Sequence, residues 1–259
     1  MATESDQEPR VSDSHPFHCM SVELNERPKS NPTIIEGFPG FGFVATIAVE
    51  YLLDHLKMRS IGRIWSPELA PMALVHNKRV IQPLEIFYSD KLNLIVLEAV
   101  AGVSGMEWEV AEAIRVLAAE LKAKEIVGIE GIGAAVERPE TVAYYYTNQA
   151  DKKKIMEKAG CHNLIEGIIF GVSGALMVRL PKDVKASFIF AETHSNMPDS
   201  RAAAKIIEIL DKYIGLGIDY KPLLKKATEF EERLKGILEQ TKEAVDLKRR
   251  KETPQEYIG

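Results

Sequence analysis

The sequence predicts an α/β fold with a mostly parallel sheet, an antiparallel meander and a long C-terminal helix. Three observations carry that prediction. Apolar runs of strand length alternate with stretches of helical period. Glycine, proline and asparagine punctuate the runs at short intervals. A 4,3-spaced apolar seam then runs across about three heptads near the C-terminus. The 259 residues are 46% apolar and 27% charged, with a formal net charge of −5. That is the balance of a globular protein with a sizeable core.

The chain divides into four zones. Residues 1–32 carry three basic and six acidic side chains and few aliphatics, which suits a flexible N-terminal tail with one short strand near Met20–Leu24. Residues 33–220 form the α/β core domain, 221–252 an amphipathic helix and 253–259 a C-terminal tail.

Within the core, Thr33–Phe38 reads as an apolar strand closed by Gly37-Phe-Pro-Gly40. A helix follows from Phe41 to Leu56, with Thr46, Glu50 and Asp54 as a narrow polar stripe. Ser60–Trp65 is the next strand. Met72–His76, Val80–Tyr88 and Leu92–Glu98 form a meander joined at Asn77-Lys78 and Ser89-Asp-Lys91. Ser104-Gly-Met-Glu107 has the spacing of a capping box. The helix behind it aligns Val110, Ile114, Leu117 and Leu121. Glu125–Gly131 suits a buried parallel strand. Val142–Thr147, the helix Asp151–Lys158 stopped by Gly160, the helix Phe170–Leu180 and the strand Ala186–Ala191 follow. The helix after Pro198 turns Ala203, Ile206, Ile207, Leu210 and Ile214 inward. Last, Leu223, Ala227, Phe230, Leu234, Ile237 and Thr241 make the heptad-type seam. It packs on its own domain or on a second copy as an arm. Lys248-Arg-Arg-Lys251 near its end complements the helix dipole.

Composition narrows the function classes. A sequence pI near 5.8 gives no electrostatic case for nucleic acid. The apolar stretches are broken by Glu50 and Glu98 short of the ~18–20 residues of a membrane span. The acidic start lacks an apolar signal region, so a cytoplasmic protein is expected. Cys19 and Cys161 cannot make a disulfide framework. His15-Pro-Phe-His18-Cys19 lacks a second ligand pair, so no metal is expected. Cys161 suits a small buried hydrophobe.

Two groups could carry chemistry. Gly37, Gly40 and Gly42 sit at a strand-to-helix turn, where backbone N–H groups could meet a phosphate. Their GxxGxG spacing is neither the dinucleotide fingerprint nor a P-loop, and a tight turn explains them equally. No cofactor is expected. Glu98, Glu130 and Glu192 lie at strand ends, where ligands of open α/β sheets bind. Glu192-Thr-His194, with Asp199 beyond, could share proton transfer. Glu130, Glu192 and His194 are thus the catalytic candidates of an enzyme reading, set against a loop-capping role.

Four motifs occur in order: Gly37-Phe-Pro-Gly-Phe-Gly-Phe-Val-Ala, Gly128-Ile-Glu-Gly-Ile-Gly133, Gly171-Val-Ser-Gly-Ala-Leu176 and Pro198-Asp-Ser-Arg-Ala-Ala-Ala204. Together they make the chain resemble the archaeal branch of the proteasome assembly chaperone family, whose relatives are often labelled as an ATP-grasp superfamily. The resemblance implies a fold like the nucleoside phosphorylase/hydrolase group. It also implies a homo-oligomer, and a non-catalytic role in binding proteasome subunits or core particle. Some relatives dock through a tail with a penultimate tyrosine. Here Tyr257 is third from the end, in Glu256-Tyr-Ile-Gly259. Tyr257 and Ile258 are the partner-binding candidates. The alternative is a small-molecule enzyme of the nucleoside phosphorylase or hydrolase type.

Overall fold

A computed structural model describes residues 20–225 and 236, apart from 77, 101, 135–137, 139 and 194–196. One nine-stranded sheet organises the chain. Its strands are β1 (Ser21–Leu24), β2 (Thr33–Gly37), β3 (Arg59–Trp65), β6 (Leu84–Ser89), β7 (Leu94–Ala99), β8 (Glu125–Gly133), β9 (Ala143–Thr147), β10 (His162–Asn163) and β11 (Ala186–Thr193). The spatial order is β1-β3-β6-β7-β2-β8-β11-β9-β10. The central strands β7, β2, β8 and β11 run parallel. The pairs β1–β3, β3–β6, β6–β7 and β9–β11 are antiparallel. The short strands β4 (Leu74–His76) and β5 (Arg79–Ile81) form a separate ribbon.

Helices cover both faces, as buried parallel strands require. On one face α1 (Val44–Leu56), α3 (Ala150–Ala159) and α5 (Ser200–Ile214) pack over Ile35, Val96, Val127, Ile129 and Ile189. On the other, α2 (Glu107–Glu120) and α4 (Gly171–Arg179) pack over Ile34, Leu97, Ile126, Phe188 and Phe190. Helix α5 is the most amphipathic element, and the inward set expected of it is buried except for Ile214, which packs against the core rim. Asp199 caps α5 by accepting from the Arg201 and Ala202 N–H groups at 3.1 and 3.0 Å. Gly160 and Gly215, both left-handed, end α3 and α5.

Two local expectations are corrected. Helix α2 starts at Glu107, with Met106 at the N-cap and no side-chain cap. Ser104 therefore makes no capping box. Glu107 instead accepts from the Gly105 N–H, at 2.9 Å. The run Val80–Tyr88 splits at Gln82-Pro83, because proline cannot donate to a ladder. Its first part joins β4 and its second enters the main sheet. Of the C-terminal helix, α6 (Lys221–Lys225) is described. Leu223 is 1% exposed there and belongs to the domain's own core. Ala227, Phe230, Leu234, Ile237, Tyr257 and Ile258 lie outside the described residues.

Candidate functional site

The chain leaves β2 toward the α1 face and leaves β7 toward the α2 face. Adjacent parallel strands whose connections diverge open a crevice at their carboxyl ends. Here that crevice is a hollow of about 60 Å³, walled by Phe38 and Pro39 after β2, Val103 and Ser104 after β7, Glu130 of β8 and Ser173 of α4.

A fully buried carboxyl, Glu36, and a partly buried one, Glu130, meet beneath the start of α4. Glu36 follows Ile34 on the α2/α4 face and is fully buried. It finds room because its sheet neighbour is Gly128: a Cβ there would stand 2.5 Å from Glu36 Oε1. Ser173 Oγ donates to that oxygen at 2.7 Å. Glu130, two residues beyond Gly128, projects from the same face against Gly40, where an added Cβ would lie 3.0 Å from Glu130 Oε1. The second oxygen of each carboxylate has no hydrogen-bond partner among the described residues. Burial pushes Glu36 up to about 8, with the Ser173 hydroxyl opposing the rise and Glu130 adding to it. Burial likewise raises Glu130 to about 7.

A carboxyl whose folded value is raised keeps its proton in the folded protein while the unfolded chain has lost it. The unfolded state then binds fewer protons, so stability falls as pH rises from about 4.5 to about 8 and levels off above. The substitution Glu36→Gln mimics the protonated form. Thermal melts should show the variant more stable than wild type at pH 8, with the advantage vanishing by pH 4.5. A parallel pH profile for the two would contradict this.

The glycine turn serves close packing. Gly37 faces Val49 and Ile129, with an added Cβ at 2.8 and 2.9 Å. Gly42, at φ +63°, would press 2.7 Å from Thr193 Oγ1. Its carbonyl accepts from the Asp199 N–H, and Thr193 Oγ1 donates to Asp199. The turn is thereby fastened to the end of β11, and Gly40 lies against a carboxylate.

Of the expected acid–base candidates, Glu130 and Glu192 share a face of the adjacent strands β8 and β11, two register positions apart. Glu192 on β11 accepts from the Tyr144 hydroxyl at 2.9 Å and pairs with Arg138 at 3.8 Å. Asp199 is a helix cap. His194 lies outside the described residues. Cys161 is buried, and burial pushes its thiol up to about 12, which leaves it unreactive. Glu36 and Ser173 escape sequence reasoning, although a lone glutamate inside Thr-Ile-Ile-Glu-Gly was a readable signal.

The family model described as the PAC2 family matches residues 34–238. An uncharacterized protein of Methanocaldococcus jannaschii is 28% identical over 245 residues, 90% of this chain and 98% of that one. The crystal structure of Pyrococcus furiosus PbaA, described as an archaeal homolog of proteasome-assembly chaperone, is 30% identical. It superposes with a TM-score of 0.77 and covers 87% of this chain and all of that one. Pyrococcus furiosus PbaB, described as an archaeal proteasome activator, shares the fold at 24% identity and a TM-score of 0.71, covering 85% of this chain and 99% of that one.

Proposed function

Because the chain belongs to the PAC2 family, we propose that it is a non-enzymatic oligomeric chaperone or adaptor that binds proteasome subunits or the core particle and aids assembly or activation. The observation that carries this reading is the likeness to PbaA along nearly the whole of both chains. The parallel centre β7-β2-β8-β11, with helices on both faces, supports a fold of the phosphorylase/hydrolase kind put to non-catalytic use. Its partners are proteasome proteins and further copies of itself, with no nucleic acid, and its place is the cytoplasm. Among the described residues no helix is long and apolar enough to cross a membrane.

Multivalency is the mechanism. Several identical surfaces on one oligomer raise the effective concentration of each contact, so weak contacts hold a ring together. An uncovered apolar stretch supports self-association. Ile165, Ile168 and Phe170, in the segment between β10 and α4, are 86, 79 and 75% exposed, and Val178 on α4 is 74% exposed. Large contiguous apolar patches mark interaction sites. The substitution Ile168→Glu should therefore lower the mass measured by light scattering, while the melting temperature stays within a few degrees. An unchanged mass would move the oligomer seam elsewhere.

Assembly provides the functional test. Mixing separately purified core-particle subunits with and without the chain should give faster or fuller formation of the core particle when it is present. An unchanged yield and rate would count against the chaperone role.

A further inference from the structure

We infer that a basin at the amino ends of β8 and β11 holds an acidic N-terminal segment of this same chain, Glu4–Asp13. The basin, about 540 Å³, lies at the end of the sheet opposite the strand-end hollow. Its floor is apolar, with Ala118, Ala123, Ile126 and Val184. Its rim carries Lys122 and Lys124, just after α2, and Lys185, just before β11. All three lysines are exposed, and none has an ion-pair partner among the described residues. Nor do they cap α2, because the carbonyls of Leu117, Ala118 and Ala119 accept from the N–H groups of Leu121, Ala123 and Lys122. The two acids of the basin leave its rim positive. Glu125 is taken by Gln149, Ser187 and Tyr213, and Asp183 is one carboxylate against three ammonium groups. A concave surface with uncompensated charge of one sign gathers the opposite charge.

Charge and reach identify the occupant. Residues 1–19, outside the described residues, include Glu4, Asp6, Glu8 and Asp13 against Arg10. They join the described chain at Met20, which shares the wall of a pocket with Met106, the N-cap of α2. From Met106 to Leu121 the helix covers about 22 Å at 1.5 Å per residue. An extended chain from Met20 to Asp13 spans about 23 Å at 3.3 Å per residue, which brings Asp13 to the lysine rim and leaves Glu8, Asp6 and Glu4 to follow into the basin. The charges also match along the path. Near the start of α2 the pocket wall carries Glu68 and Glu109. The stretch that leaves Met20 there, Ser14–Cys19, has no acid and carries His15 and His18. The first acid upstream is Asp13, at the distance where the lysines begin.

Carbodiimide cross-linking of the full-length chain at low salt joins carboxylates to lysines already in contact. On a denaturing gel, the monomer band should yield peptides that link Glu4, Asp6, Glu8 or Asp13 to Lys122, Lys124 or Lys185. In 1 M salt, which screens charges beyond about 3 Å, the yield of those links should fall by about tenfold. Trypsin reads the same contact without a cross-linker. Cleavage after Arg10 should quicken by about fivefold or more in the combined variant K122E/K124E/K185E, whose melting temperature should stay within a few degrees because all three side chains are exposed. Should that variant fold poorly, the salt dependence of the wild-type links decides alone. Links from the segment that avoid these lysines would overturn the proposal. So would cleavage after Arg10 that is equally fast in wild type and folded variant. Links confined to the dimer band would also overturn it, and would give the basin to the segment of a neighbouring copy.

Discussion

Replacing Glu125 with alanine is expected to lower the melting temperature by roughly 10 °C or more. Glu125 opens β8 at the end of the sheet opposite the hollow and is 3% exposed. Its Oε1 accepts from Gln149 Nε2 at 2.7 Å, from Ser187 Oγ at 2.6 Å and from the Tyr213 hydroxyl. Those donors come from the N-cap of α3, from β11 and from α5, so one carboxylate ties four elements together. Burial, and then the charge of Glu125, hold the Tyr213 phenol in its neutral, donating form. The alanine variant strands these donors, and each unmet buried group costs about 1–3 kcal/mol. A loss of about 3–5 kcal/mol shifts melting by about 2–4 °C per kcal/mol in a chain of this size class. Glu125→Gln retains an acceptor and should lose clearly less. A drop under about 2 °C for the alanine variant would mean that the network contributes little.

Deleting Tyr257–Gly259 should weaken capture of the core particle by at least about a hundredfold. Avidity multiplies single-site affinity by about 10²–10⁴, and removing the anchor from every copy removes the whole gain. In the proposed multivalent mechanism Tyr257 is the aromatic anchor and Ile258 its aliphatic neighbour in a peptide-capture segment. Folding of the truncated chain, checked by its unchanged melting temperature, separates lost anchoring from lost structure. Equal capture by full-length and truncated chains would shift the contact to the α/β body.

The alternation of strands and helices was legible because each element carries its own period. Helix α5 shows this best, since its inward set follows directly from 3.6-residue spacing. The start of α2 was not, since Ser104 and Glu107 have capping-box spacing but the chain turns helical only at Glu107. Pro83 was visible, and its effect on Val80–Tyr88 follows from the missing N–H. The carboxyl pair was half legible. Glu130 stood out at a strand end, whereas Glu36 sat inside a strand whose apolar neighbours masked it. Its partner Ser173 lies 137 residues away, and no local pattern encodes such a contact. Gly128 ties the two halves together, because its missing side chain makes the space that Glu36 fills.

Sedimentation of purified archaeal core particle mixed with the full-length chain tests the central claim most directly. The chain, sedimenting alone as an oligomer, should move into the core-particle boundary and saturate it. A chain that sediments as a monomer and leaves the core-particle boundary unchanged, at concentrations well above micromolar, would contradict it.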